Sequence, residues 1–188
     1  MIDRLDPAKY LGKWTLILGE VNTGKTSLCR AILGEMCKYG LEDRIAIVDL
    51  APEVPETMAK DREIKGIGGR LVPPDRDNLV YLRVPLAAPR LSSKGEREAL
   101  EKARLNALKI GTLFEEWNRL GRDILFVNDI SVFLQAERAE SVVKLLNKAQ
   151  TLVANGYYGN KLGAGELSQR ERRQMDLLKL YFHQITIT

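Results

Sequence analysis

Eight residues, Gly19-Glu20-Val21-Asn22-Thr23-Gly24-Lys25-Thr26, constrain this chain more than any other stretch. They follow an apolar run, Trp14-Thr15-Leu16-Ile17-Leu18, that reads as a buried strand. They open a segment with Leu28, Ile32 and Met36 at spacing four, flanked by Cys29, Leu33 and Cys37, that reads as a helix over 25–39 closed by Gly40. Glycine at both ends of the turn permits backbone conformations closed to other residues, so successive N–H groups point inward. They do so at the positive end of a helix, where an anion such as a phosphate is favoured. A plain strand-to-helix link would not require Lys25 and Thr26 in the first helical turn. An amine there spans a β- and a γ-phosphate, and a hydroxyl there ligates Mg²⁺.

The rest of the chain alternates strands and helices. Asp6-Pro7 starts a helical turn that Gly12 ends, and 44–49 is a continuous apolar strand of the kind covered on both faces. Residues 51–78 hold Pro52, Pro55, Pro73, Pro74, Gly66, Gly68 and Gly69 and read as an irregular functional loop, a candidate lid. A third strand is expected over 79–84. Ser93 with Glu96 gives a capping-box signature for a helix to Gly121, with Leu100, Ala103, Ala107, Ile110, Phe114 and Trp117 as its apolar stripe. Strands at 124–127, 151–154 and 185–188, a helix at 137–148 and a second capping box at Ser168 and Glu171 complete the pattern. The implied class is α/β, a mostly parallel central sheet flanked by helices, with the loops after the strands gathered at one ligand-binding edge. A length of 188 residues predicts a single domain, 1–188.

Hydrophobic residues at 45% and charged residues at 29% exclude general disorder, collagen-like repeats and a disulfide mini-scaffold. A net charge of +4 with dispersed basic residues leaves RNA or DNA open as a partner without requiring either. The longest strongly apolar run near the N-terminus, 14–19, is far short of the roughly 18–20 residues of a membrane span, so no membrane partner and a cytoplasmic location are expected. Cys29 and Cys37 share one helix and His183 lies far away, which gives no zinc spacing and predicts buried thiols.

The octapeptide matches G-x-x-x-x-G-K-[ST] and resembles the Walker A loop of the P-loop NTPases, and the order of strands and helices is similar to theirs through most of the chain. The resemblance implies a three-layer P-loop NTPase fold that binds ATP, or GTP, with Mg²⁺. Gly19, Glu20, Val21, Asn22, Thr23, Gly24, Lys25, Thr26 and Ser27 would hold the phosphates, Ser27 beside the α-phosphate. Asp129, after Ile124-Leu125-Phe126-Val127-Asn128, resembles the Walker B aspartate that shares the metal with Thr26. Asp123 is its rival, at the opposite edge of the sheet. Asp49 ends the second strand on the phosphate edge, where it orients a water or deprotonates an acceptor hydroxyl, unless it serves a structural ion pair. Arg70 and Arg90 are candidates for neutralising transferred charge. Asn155 is a candidate nucleobase contact. Asn160-Lys161-Leu162-Gly163 begins like a guanine-reading run, but Gly163 replaces its aspartate. Ile130 stands where many ATPases place a catalytic glutamate, and Val132 where small GTPases have a glycine.

Residues 14–155 are also similar to a narrower branch, the SIMIBI class with the RNA 5′-hydroxyl polynucleotide kinases and their mRNA cleavage-factor relative. The chain departs from that branch at Asp49-Leu50-Ala51-Pro52-Glu53, where the family reads Asp-x-Gly-Gln. Two functions follow from the resemblance. One is a Mg-dependent P-loop NTPase that hydrolyses ATP or transfers its γ-phosphoryl group, a nucleic-acid 5′-hydroxyl being one acceptor. The other is a nucleotide-binding switch or structural module with little turnover, its occupancy ordering 51–78. The oligomeric state stays open, a homodimer included.

Overall fold

Apolar runs without polar alternation demand cover on both faces, and the computed structural model, which describes residues 5–54, 69–76 and 78–188, provides it. Strands β1 (Trp14–Gly19), β2 (Ile45–Asp49), β3 (Val80–Arg83), β4 (Ile124–Asn128), β5 (Thr151–Tyr157) and β6 (Gln184–Ile187) form one sheet in the order β3-β2-β4-β5-β1-β6. Every neighbouring pair is parallel. The helices are α1 (Lys25–Lys38), α2 (Pro89–Ser92), α3 (Glu96–Leu120), α4 (Ser131–Leu134), α5 (Ala139–Leu146) and α6 (Glu166–Leu178).

Alternate strand residues feed the two faces. Ile17, Ile45, Ile47, Phe126 and Val153 pack with Cys29, Ile32, Leu33 and Met36 of α1. Leu16, Leu18, Val48, Leu125, Val127 and Leu152 pack with Ile110, Phe114, Trp117, Val142 and Met175 from the helices of the other layer. The three-layer α/β arrangement is therefore present, with α1 alone among the α-helices in the first cluster. Among the described residues no helix is long and apolar enough to cross a membrane.

The register decides what reaches the ligand edge. β5 runs to Tyr157, three residues beyond the expected 151–154, because Ile17, Leu18 and Gly19 of β1 continue to pair with Asn155, Gly156 and Tyr157. All seven β5 residues are buried, so polar Asn155 is carried into the interior at the site.

Both capping boxes are corrected. α3 starts behind Gly95, whose extended backbone is the N-cap, while Ser93 is extended and its hydroxyl is buried without a partner. The Glu96 carboxylate instead accepts the Glu166 N–H at 3.1 Å, at the start of α6. α6 begins at Glu166 behind Gly165, which puts Ser168 inside the first turn and turns Glu171 inward. The helix expected over 137–148 is present as α5, preceded by the short α4, and α2 has no counterpart in the sequence reading. Of the expected lid, residues 55–68 and 77 lie outside the described residues. Its far flank returns to the core at Leu71, which is fully buried.

Candidate functional site

Between β1 and α1 the chain makes a turn in which Asn22 (φ 61°) and Gly24 (φ 88°) take left-handed backbone. Gly19 is required by contact: a Cβ there would stand 2.6 Å from the Thr188 carbonyl oxygen and from the Thr23 hydroxyl. Thr23 Oγ1 donates to the Glu20 carbonyl at 2.9 Å and pairs with Thr188 Oγ1 at 2.8 Å, tying the turn to the end of β6. The Glu20 carboxylate faces away from the turn's interior. It accepts the N–H groups of Asn160 (2.8 Å) and Lys161 (3.3 Å), bracing the segment after β5. Burial pushes the Glu20 carboxyl up, but hydrogen bonds from Asn160, Val21, Tyr157 and Lys161 outweigh it and hold the group below its ordinary range.

A cavity of about 390 Å³ opens over this turn, and Val21 through Ser27 line it. Lys25 Nζ donates to the Glu20 carbonyl; burial lowers the amine's proton affinity against the opposing pull of Asp129 and Glu20. Thr26 Oγ1 donates to Asn128 Oδ1 at 3.3 Å. Asp129 follows β4 at φ 59°, a conformation that costs a non-glycine residue roughly 1–2 kcal/mol and is concentrated at functional sites. It is held there by its N–H, which donates to Asn155 Oδ1 at 3.0 Å, and by Ser131 Oγ, which donates to Asp129 Oδ1 at 2.6 Å. Burial raises the Asp129 carboxyl, while Ser131, Lys25 and Arg90 work against the rise. Arg30 and Arg70 also line the cavity, and Arg30 Nη2 donates to the Arg70 carbonyl at 3.2 Å. Thr26 and Asp129 thus bring two hard oxygen donors into the cavity that Lys25 enters, a donor set that fits a magnesium ion completed by phosphate and water. Among the described residues no cluster of three or more His, Cys, Asp or Glu side chains forms a closed metal cage. Asp123, the rival to Asp129, is at the other end of β4 in an ion pair with Arg44 at 2.6 Å.

Asp49 and Asn155 are placed differently from their expected roles. Asp49 is fully buried and among the described residues accepts four donors: Ala51 N–H (3.1 Å) and Asn128 Nδ2 (2.7 Å) on one oxygen, Leu71 N–H (2.9 Å) and Tyr81 hydroxyl (2.6 Å) on the other. It is absent from the cavity wall and holds no oxygen toward it. Asn155 spends its amide hydrogens on Asn128 Oδ1 (2.8 Å) and Cys29 Sγ (3.3 Å) and its oxygen on Asp129. Asn155 lines the cavity, with its side chain bonded to Asn128, Cys29 and Asp129. Asp49, Asn128 and Asn155 form a polar rod across the ends of β2, β4 and β5. Cys29 and Cys37 are buried as expected, and burial pushes the Cys29 thiol up to about 12.

Arg70 reaches the cavity and Arg90 does not. Arg90 Nη2 pairs with Glu171 at 2.7 Å, its Nε donates to Ser168 Oγ at 3.0 Å, and it lies 5.7 Å from the Tyr157 ring centre. Burial pushes the Glu171 carboxyl up to about 7, against Arg90 and the Gln135 amide. Asn160 Oδ1 accepts Arg172 Nη2 at 2.8 Å, so this side chain is bonded to α6. Sequence reasoning does not reach Arg30 or Tyr157, and it takes Asn128 only as an interruption of an apolar strand and Glu171 only as half of a capping box. Arg30 is one helical turn beyond Thr26, and Asn128 interrupts an otherwise apolar strand; either signal could have found them. Nothing in the local sequence marks Tyr157 or Glu171.

No family model and no curated protein sequence matches the chain. Solved structures do. Flagellar accessory protein FlaH from Methanocaldococcus jannaschii superposes with a TM-score of 0.51 at 12% identity, over 100% of this chain and 78% of that one. The Pif1 helicase from Candida albicans gives 0.36 at 16% identity, over 100% and 39%. An ATPase from the type III secretion system of pathogenic bacteria gives 0.38 at 15%, over 87% and 49%. The FlaH likeness shows a shared fold, and with the all-parallel, helix-flanked sheet it gives the chain the α/β fold of the P-loop NTPases.

Proposed function

We propose that the chain binds a nucleoside triphosphate, ATP or GTP, with Mg²⁺ and hydrolyses its γ-phosphate slowly. The observation that carries the reading is one cavity in which the glycine-bounded turn, the Lys25 amine, the Thr26 hydroxyl and the Asp129 carboxylate converge. Its volume of about 390 Å³ is in the range of small-molecule sites. Residues 21–26 would take the β-phosphate on backbone N–H groups, Lys25 would bridge to the γ-phosphate, and Arg30 and Arg70 would face the remaining charge. Thr26 and Asp129 would hold the magnesium, which neutralises charge between the phosphates when bound.

Slow turnover is preferred because Asp129 is the one carboxylate among the described cavity-lining residues, and a metal ligand is a poor general base. This same observation favours the second reading, a nucleotide-operated switch in which Glu20 carries the state of the turn to the segment after β5. The narrower likeness to 5′-hydroxyl polynucleotide kinases rests, outside the P-loop, on Asp49 and Asn155, and both are committed to the polar rod, so neither supports transfer to a nucleic acid. A cytoplasmic site of action belongs to the same proposal, as do any nucleic-acid partner and any homodimer.

Titration calorimetry with ATP and GTP in the presence of Mg²⁺ tests the reading. Binding heat is expected for at least one. Lys25→Ala should abolish phosphate release while leaving the circular-dichroism spectrum intact. No heat for either nucleotide would end the proposal.

A further inference from the structure

β6 is one of the two edges of the sheet, and β1 is its one strand partner among the described residues. A parallel strand paired on one side turns half of its backbone N–H and C=O groups outward, where they can pair with another strand. Edges are ordinarily blunted by charge, proline or a bulge. The opposite edge follows that rule: β3 carries Arg83, which pairs with Glu53 at 3.4 Å. β6 does not, because Gln184-Ile185-Thr186-Ile187-Thr188 holds neither charge nor proline. Its register with Leu16 and Leu18 places Ile185 and Ile187 on the face that the layer of α3 and α6 covers elsewhere, yet they are 44% and 66% exposed. Leu180 and Tyr181, in the turn that leads into β6, are 80% and 45% exposed.

We infer that β6 is a homodimer interface at which two copies of this chain pair antiparallel and join their sheets. The strand's own sequence selects the occupant. Ile185-Thr186-Ile187 reads the same in both directions, so a two-fold axis normal to the sheet can pass through Thr186. Ile185 then stands opposite the partner's Ile187 on one face, and Thr186 opposite the partner's Thr186 on the other. Both are favourable cross-strand pairs, and neither buries a charge. A stable dimer takes about 800 Å² from each partner, more than a strand of four residues supplies, and the exposed Leu180 and Tyr181 extend the apolar patch. With Arg83 on β3 the other edge offers no second site of this kind, so association closes at two chains. The antiparallel arrangement sends the two phosphate turns to opposite ends of the shared sheet. Each nucleotide cavity therefore stays within one chain, and the inference stands apart from the nucleotide reading.

Sedimentation of the intact chain over about 1–100 μM tests the pairing, because an interface of modest area dissociates in that range. A particle of twice the chain mass of 21.2 kDa is expected at the upper end. A monomer throughout, including one whose edge captures an unrelated extended peptide, overturns the inference, and so does a mass that grows beyond the dimer. Thr186 is exposed, so a charge there leaves the packing of the single chain alone. Thr186→Lys and Thr186→Glu each set like charges directly opposite across the axis and should weaken association about 10-fold or more. An equimolar mixture of the two variants should restore the dimer. Variants that associate as the wild type does, or a mixture that stays monomeric, overturn the inference. Should either variant fail to fold, amide exchange on the wild type decides: residues 184–188 are expected to lose protection on dilution, and protection independent of concentration overturns it.

Discussion

Asp49, expected to orient a water or deprotonate an acceptor hydroxyl, has both carboxylate oxygens engaged in a hydrogen-bond network. An aspartate ending an apolar strand at the ligand edge is where a base belongs, yet its oxygens already receive four donors. Asp49→Asn would turn one oxygen into an amide donor facing two of those donors. The expected outcome is a loss of about 3 kcal/mol in urea unfolding with the slope unchanged, and weaker nucleotide binding as Asn128 and Thr26 lose their support. A base would behave in the opposite way, with stability kept and turnover lost, so the pair of measurements separates the roles. The phosphate turn was legible because its determinants lie within eight consecutive residues. Asp49's partners come from 22 residues away at Leu71 and 79 at Asn128, distances at which a local pattern carries no information.

At the scale of elements, the strands were read closely because buried parallel strands are continuous apolar runs, and the start of α1 was read at Lys25, whereas the caps of α3 and α6 were misplaced because the capping signature is short. Ser93 and Glu96 have the right spacing, but the hydrogen bond that Glu96 makes is to α6, a partner 70 residues distant. The apolar stripe of α3 was secure, since Ala103, Ile110, Phe114 and Trp117 are all buried. Within that helix Gly111 serves no contact: a Cβ there meets nothing within 4 Å. Gly111→Ala should therefore stabilise the chain by about 0.5–1 kcal/mol, through lower backbone entropy of the unfolded state. That corresponds to a rise of about 1–4 °C in Tm. Gly19→Ala should do the reverse, because its Cβ is forced against the Thr188 backbone. Calorimetric melting of the two variants checks both signs, and the Gly19 variant should also bind nucleotide more weakly.

Across the whole molecule, Glu171 joins segments that the sequence keeps far apart: it pairs with Arg90 of α2 and receives Gln135 from the end of α4. Burial raises its carboxyl from 4.5 to about 7, so between those values the folded chain binds a proton that the unfolded chain releases. The stability from this group is complete below the unfolded value and falls as pH rises through about 7. Glu171→Gln, a neutral side chain of the same shape, should remove that slope. Urea midpoints measured from about pH 5 to about pH 8 should converge or cross, the wild type losing ground relative to the variant as pH rises. Parallel curves would show that Arg90 and Gln135 fully offset the burial of the carboxylate. A falling curve would show instead that part of the folding free energy is spent on keeping a charged carboxylate at the centre of α2, α4 and α6. That carboxylate accepts the Gln135 amide at 2.8 Å, so the residue at the end of α4 and the one inside α6 are held together by the group whose charge the pH sets.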